Sequence, residues 1–301
     1  MADDAVTGSK PALAQTEQVG KGILFVLLGS VLFALADVLG KFATQNYPMA
    51  EVIWFRSFFG MVLIGVAIFA VADFNAFKST KPAAHFKRSL AGMTMNSCML
   101  IGLKYIPLAE VTALAFAAPM VIAVFSALVL KESLGRSLLT AILVGFVGVL
   151  IVIRPTPDHF HMAHLAMLGF VLASAYLSIT ARSLVKTESA LTLNFYLYPT
   201  NVVVSGIFAW QVWVMPDLVS FAAMFGVALF ATLALLSFTR AFHCASPARV
   251  MPFDYSRIIW TVTFGLVFWG EMPDTITWAG ITIIMICGLY IVRHGRKTAA
   301  R

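Results

Sequence analysis

LKYIPLAEVTALAFAAPMVIAVFSALVLKESLG (103–135) decides the fold. From Pro107 to Leu130 it is an apolar run whose one charge is Glu110. A bilayer core of about 30 Å needs about 20 apolar residues in a helix, so this run is long enough to span. It does not alternate as a membrane β-strand would. Nine more runs of similar character flank it, giving ten at roughly 21–43, 48–71, 84–105, 107–130, 136–153, 163–186, 190–214, 218–243, 247–270 and 274–292. A cut near residue 160 leaves five in each half. Five is odd, so the second half enters the membrane from the opposite side, and inverted repeats of that kind build secondary transporters. The repeat is faintly visible in residues. Positions 106–132 align without gaps on 245–271, pairing Ala109 with Ala248, Val111 with Val250, Phe125 with Phe264 and Glu132 with Glu271.

Composition sets the same class. The 301 residues are 60% hydrophobic and 12% charged, with mean hydropathy +0.89. Soluble domains average about 25% charged residues. The expected fold is an all-α polytopic membrane protein with ten transmembrane helices in two inverted five-helix repeats. Its expected parts are a disordered cytoplasmic tail (1–20), a first repeat (21–155), a second repeat (160–293) and a basic cytoplasmic tail (294–301). Loops are short, and RPTPDHFHM (154–162), with two prolines, joins the halves.

The net charge of +7 raises nucleic acid as a partner, but its distribution excludes that reading. With a cytoplasmic N-terminus, 16 Lys and Arg fall on the cytoplasmic side and 3 on the other, leaving Arg56 and Arg257 inside spans. Such a bias orients membrane proteins, so both termini are expected in the cytoplasm. Cys98, Cys244 and Cys287 have no regular spacing and imply neither disulfides nor zinc. The first twenty residues lack a basic n-region, which argues against a cleaved signal peptide.

The 103–135 stretch, with FDYSRIIWTVTFGLVFWGEMPDTITWAGITIIMICGLYIV (253–292), resembles the drug/metabolite transporter superfamily, EamA type. Each has a mid-span aromatic or proline, an apolar run ending in Glu132 or Glu271, and a closing span with glycines. DVLGKFATQNYPMAEVIWFR (37–56) fits as well, so the resemblance covers roughly residues 20–295. It implies ten helices around a central cavity in a bacterial inner (cytoplasmic) membrane, and leaves proton coupling and a homodimer open. PFDYSRIIW and DVLGK look closest to a branch holding uptake carriers for S-adenosylmethionine and riboflavin.

Ionisable groups inside spans cost at least ~2.5–3.5 kcal/mol each at the bilayer centre and mark function by default. Asp254 and Arg257 lie at i, i+3, on one helix face. Their counterparts in the first repeat are Ala115 and Ala118, so the charges break the symmetry. Two readings stand: a self-neutralising pair, or a substrate or proton site. Asp37 and Lys41, near the end of the first span, can snorkel to the interface. Arg56 either pairs with Asp37 or Glu51 or meets an anionic group of the solute, which its planar fork suits. Glu110, Glu132 and Glu271 read as structural links or caps. Trp54, Phe116, Tyr176, Tyr196, Tyr198, Tyr255 and Trp260 are the aromatics that can line a cavity, against plain packing as the alternative. His159, His161 and His164 lack the pattern of a metal site and read as solvated loop residues.

No DDxxD, HExxH, GxSxG or phosphate-binding loop occurs, which disfavours a membrane-embedded enzyme and a self-contained ATP-driven pump. Few charges and broken symmetry fit a gated cavity better than a channel's ring-lined pore. The expectation is a secondary transporter, not an enzyme, that needs no cofactor. The preferred solute is a flat heteroaromatic of the riboflavin type. S-adenosylmethionine uptake and amino-acid or drug efflux are the alternatives.

Overall fold

The computed structural model describes residues 10–130, 135–156, 159–184 and 187–294. Every regular element among them is helical. The first half contains α1 (Lys10–Asn46), α2 (Met49–Val71), α3 (Pro82–Tyr105), α4 (Leu108–Ala115), α5 (Ala118–Leu130) and α6 (Arg136–Ile153). The second contains α7 (Met162–Leu184), α8 (Ala190–Phe195), α9 (Tyr198–Gln211), α10 (Leu218–Cys244), α11 (Pro247–Val250), a 3₁₀ turn (Met251–Ser256), α12 (Arg257–Trp269) and α13 (Thr275–His294). Residues 10–20, expected as tail, are the first turns of α1. KPALAQTEQVG holds Pro at the start, where a helix tolerates it, and good helix formers after it.

Seven helical segments among the described residues are long and apolar enough to cross a membrane. The other three expected spans differ for physical reasons. α3 has the length, at 24 residues, but carries Lys87, Arg88 and Lys104. α8/α9 and α11/α12 are interrupted as α4/α5 is, but are more polar: the first holds Thr192, Asn194 and Asn201 and the second Arg249, Asp254 and Arg257. The interruptions follow the prolines. Pro199 and Pro252 lack the N–H that would bond back one turn, and their rings crowd the preceding turn. Pro119 does the same between α4 and α5, where the break falls at Phe116–Ala117.

The packing carries the two-repeat organisation more clearly than the sequence does. With each interrupted helix counted as one segment, α1 lies along α10 and α3 along α7, while α2 meets α9, α4 meets α12, and α6 meets α13. Exchanging the two halves maps the first two contacts onto each other and the last three onto themselves. The pattern is therefore two-fold symmetric. The α6–α13 contact is the tightest: a Cβ on Gly280 would lie 2.9 Å from the Gly148 carbonyl oxygen, and one on Gly148 would lie 3.1 Å from that of Gly280. Only glycine at both positions lets the backbones approach so closely.

The main core lies where α1–α6 meet α12 and α13, with Leu103, Leu108, Met120 and Ile284 wholly buried. A left-handed Gly270 (φ 68°) ends α12. The turn bonds the Gly270 and Glu271 N–H groups back to the Leu266 and Gly265 carbonyls, and Glu271 leaves it facing α1 and α4.

Candidate functional site

Four residues of α1 recur at helical spacing, Ser30, Phe33, Asp37 and Lys41, and so share one face of that helix. Each meets a residue of the second repeat. The Ser30 hydroxyl donates to Asp254 Oδ1 at 2.8 Å. The Phe33 ring lies 5.1 Å from the Arg257 guanidinium carbon, a cation–π contact. Asp37 forms an ion pair with Arg257. Lys41 pairs with Glu271 and also donates to the Ile106 carbonyl at 3.2 Å. The polar face of α1 is thus read in order by residues 254, 257 and 271. The 3₁₀ turn opened by Pro252 carries Asp254, and Arg257 begins the helix that follows.

This arrangement revises three expectations. Arg257 takes its ion pair from Asp37, not from its neighbour Asp254. Asp37 and Lys41 do not snorkel: they are 4% and 2% exposed and committed to partners across the repeat interface. Arg56 pairs with neither Asp37 nor Glu51; Glu51 is buried and accepts from the Val214 N–H at 3.2 Å. Arg56 is half-buried and lies within electrostatic reach of Asp37, Arg257 and Tyr198.

The aromatics expected to line a cavity divide. Phe116 and Tyr255, equivalent in the two repeats, pack with centroids 4.6 Å apart and planes tilted by 50°, so the breaks in the two proline-interrupted spans meet. Tyr255 is 6% exposed, and its ring packs toward Gly288 of α13. Tyr198 lies over Gly60 of α2, one turn from Arg56. Trp54 belongs to a separate aromatic cluster, stacked on Phe58 at 5.1 Å and edge-on to Trp213 at 5.5 Å. Tyr196 donates to the Phe77 carbonyl at 2.9 Å, at one end of the molecule. Tyr176 and Trp260 are exposed.

Both ends carry polar networks. At one, a cavity of about 410 Å³ is lined by Glu110, Arg154, His159, Glu271, Asp274 and Thr277 among others. Arg154 pairs with Asp274 there and holds that carboxyl well below its usual range. Glu271 also accepts the N–H of Leu108, at the start of α4, at 3.0 Å, which makes it the expected cap and inter-helix link. Its equivalent Glu132 lies outside the described residues. His164 is buried with Nε2 3.4 Å from Glu110, so it is not the solvated loop residue expected, whereas His161 is exposed and His159, 36% exposed on the loop, has Nε2 3.8 Å from the same carboxylate. At the opposite end Glu188 accepts from Ser79 at 2.7 Å and Thr80 N–H at 3.2 Å and meets His85 at 2.8 Å. Burial pushes the Glu188 carboxyl up, but the hydroxyl, imidazole and amide around it outweigh that and hold it below its ordinary value. Sequence reading missed Ser30, Phe33 and this latch. Only the first two had a signal, the helical spacing of polar and aromatic residues from Ser30 to Lys41.

The profile of the EamA-like transporter family matches residues 20–154 and again 161–293. The S-adenosylmethionine uptake transporter of Rickettsia prowazekii is 25% identical over 92% of this chain and 94% of its own length. The pseudopaline exporter CntI of Pseudomonas aeruginosa is 27% identical over 90% of this chain and 96% of its own. The riboflavin transporter of Vibrio cholerae is 24% identical over 93% and 96%. A solved crystal structure, 17% identical, shares the fold with a TM-score of 0.62 over 92% of this chain and 97% of its own. The chain belongs to the EamA-like transporter family and is a membrane transporter.

Proposed function

We propose that this member of the EamA-like transporter family is a secondary transporter with ten spans in two inverted repeats. It has both termini in the cytoplasm and lies in a bacterial cytoplasmic membrane. It carries a small organic solute by alternating access, and acts as a carrier rather than an enzyme. One observation carries the reading: Asp37, Arg257 and Asp254 gather where α1 of the first repeat meets the 3₁₀ turn and α12 of the second, with Arg56 of α2 within electrostatic reach. Charges in the apolar part of a membrane protein are costly and mark solute or ion paths. Interrupted helices at a repeat interface supply backbone and side chains for such a site. Arg56 and Asp254 contact the solute, the Asp37–Arg257 pair positions them, and Tyr198 flanks Arg56. Phe116 and Tyr255 form the wall behind, and Trp54 and Tyr196 serve at the ends.

The named relatives handle three different solutes, so they favour no single one. S-adenosylmethionine and riboflavin share a flat heteroaromatic ring with a polar tail, and that class is the one proposed. Efflux of amino acids or drugs is the second reading, supported by an exporter among the relatives. The test is uptake by purified protein in proteoliposomes of labelled S-adenosylmethionine and riboflavin, with and without an imposed proton gradient. Saturable accumulation that Asp254→Ala abolishes, at equal protein in the vesicles, is the expected result. Accumulation no greater than in protein-free vesicles across the panel would overturn the reading.

A further inference from the structure

Resting on the proposed transporter site, we infer that the solute is a zwitterion, with Arg56 receiving its carboxylate and Asp254 its cationic group. The four central charges are not equivalent. Asp37 and Arg257 neutralise each other in a direct ion pair. Arg56 has neither a hydrogen bond nor an ion pair among the described residues, although its guanidinium offers five donors. Asp254 accepts one hydrogen bond, from Ser30, and has no cation within ion-pair distance among the described residues. One positive and one negative charge are therefore left without an ionic partner.

Their placement fits a ligand between them. Arg56 and Asp254 each lie within electrostatic reach of both Asp37 and Arg257. Both are half-buried and not sealed off, so each remains reachable inside the molecule. On the ten-span reading, α2 and α11 begin at opposite membrane faces. At about 1.5 Å per residue, Arg56 and Asp254 each lie about 10 Å in from their own face. A core of about 30 Å then leaves roughly 10 Å between them along the membrane normal, a span that a small zwitterion bridges. An uncharged solute would leave both charges unpaired in a low-dielectric site, and a simple anion or cation would satisfy only one. The bidentate fork of arginine suits a carboxylate in particular.

Three probes test this in proteoliposomes: labelled S-adenosylmethionine, its decarboxylated analogue and riboflavin. Wild type should prefer S-adenosylmethionine over the decarboxylated analogue by about 10- to 100-fold in apparent affinity, the scale of a lost hydrogen-bonded charge contact. Arg56→Gln should lose that preference and treat the two alike, while Arg56→Lys keeps part of it. The wild-type comparison needs no variant, so misfolding of Arg56→Gln leaves it decisive. Equal handling of the two S-adenosyl compounds by wild type overturns the inference. So does transport of riboflavin alone, which leaves the transporter reading intact. Failure to move any of the three overturns both.

Discussion

Gly288 of α13 holds open the space that the Tyr255 phenol occupies. A Cβ at position 288 would stand 1.8 Å from the phenolic oxygen and 3.0 Å from Cζ. Contact distances are about 3.5–4 Å, so Gly288→Ala forces the ring or α13 to move by more than 1 Å. Overpacking of this kind costs about 1–3 kcal/mol. For a chain this long that lowers the melting temperature by roughly 2–5 °C. Tyr255→Phe should behave in the opposite way. Its hydroxyl is buried with no hydrogen-bond partner, and an unsatisfied hydroxyl costs about 1–3 kcal/mol. Removing it should leave the melting temperature unchanged or raise it. The Gly288→Ala/Tyr255→Phe protein should regain most of the loss, because the remaining 3.0 Å approach to Cζ is relieved by a shift of a few tenths of an ångström. The coupling between the two changes should reach at least about 1 kcal/mol. The assay is thermal unfolding of the four proteins in detergent, followed by tryptophan fluorescence. Strictly additive losses would refute the packing argument. A Tyr255→Phe protein that melts normally but no longer transports would show that the hydroxyl serves the solute.

Asp37→Asn should cripple both yield and transport, since it strands Arg257 inside the repeat interface at a cost of about 3–5 kcal/mol; Asp37→Leu with Arg257→Leu should recover yield in detergent while transport stays lost, and recovery of both would make the pair architectural. Glu188 sits below its ordinary value in the folded protein, so it stabilises the fold above the unfolded carboxylate range near pH 4.3, and that stability is lost as pH falls through the folded value. Glu188→Gln should therefore melt earlier than wild type at pH 7, and the gap should close below about pH 4; a gap that widens in acid contradicts the sign. In a cysteine-free background, single cysteines at the exposed positions Thr156 and Met215 should react with an impermeant thiol reagent from outside intact cells, and one at exposed Asn75 should not; outside labelling at 75 would invert the topology.

Fold class was legible because bilayer physics leaves so few options. A run such as 107–130 can only be a spanning or wholly buried helix. The five runs in each half pointed to two repeats before any contact was known, and the symmetric helix contacts and the matches at 20–154 and 161–293 agree with that. The interruptions were partly legible, since Pro119, Pro199 and Pro252 each sit at or just after a break. Individual partners were not. Asp254 and Arg257 share a helix face, and local spacing favours pairing them. The winning partner, Asp37, lies more than 200 positions away, and only tertiary packing brings it closer. Lys41 illustrates the same limit. A lysine near a helix end is free to snorkel in an isolated helix. Here Glu271, fixed by the left-handed turn at Gly270, reaches it first. Tyr196 and Tyr198 both read as candidates to line a cavity, but the break before Pro199 separates their surroundings, one toward Phe77 and one toward Gly60.

Where the two repeats agree, the molecule is architecture; where they disagree, it is a site. The helix contacts are symmetric, and the equivalent Phe116 and Tyr255 pack against each other. The glycines that bring α6 against α13 likewise face each other across that symmetric contact. None of this needs a solute. The charges obey no such rule. Asp254 and Arg257 stand where the first repeat has Ala115 and Ala118. A symmetric scaffold favours neither membrane face over the other, which suits alternating access. A solute is not symmetric, and its two ends need different partners. Apolar residues at 254 and 257 would serve the helix contact at lower desolvation cost. The charges therefore require a reason that packing does not give, and an asymmetric ligand held between the repeats supplies one.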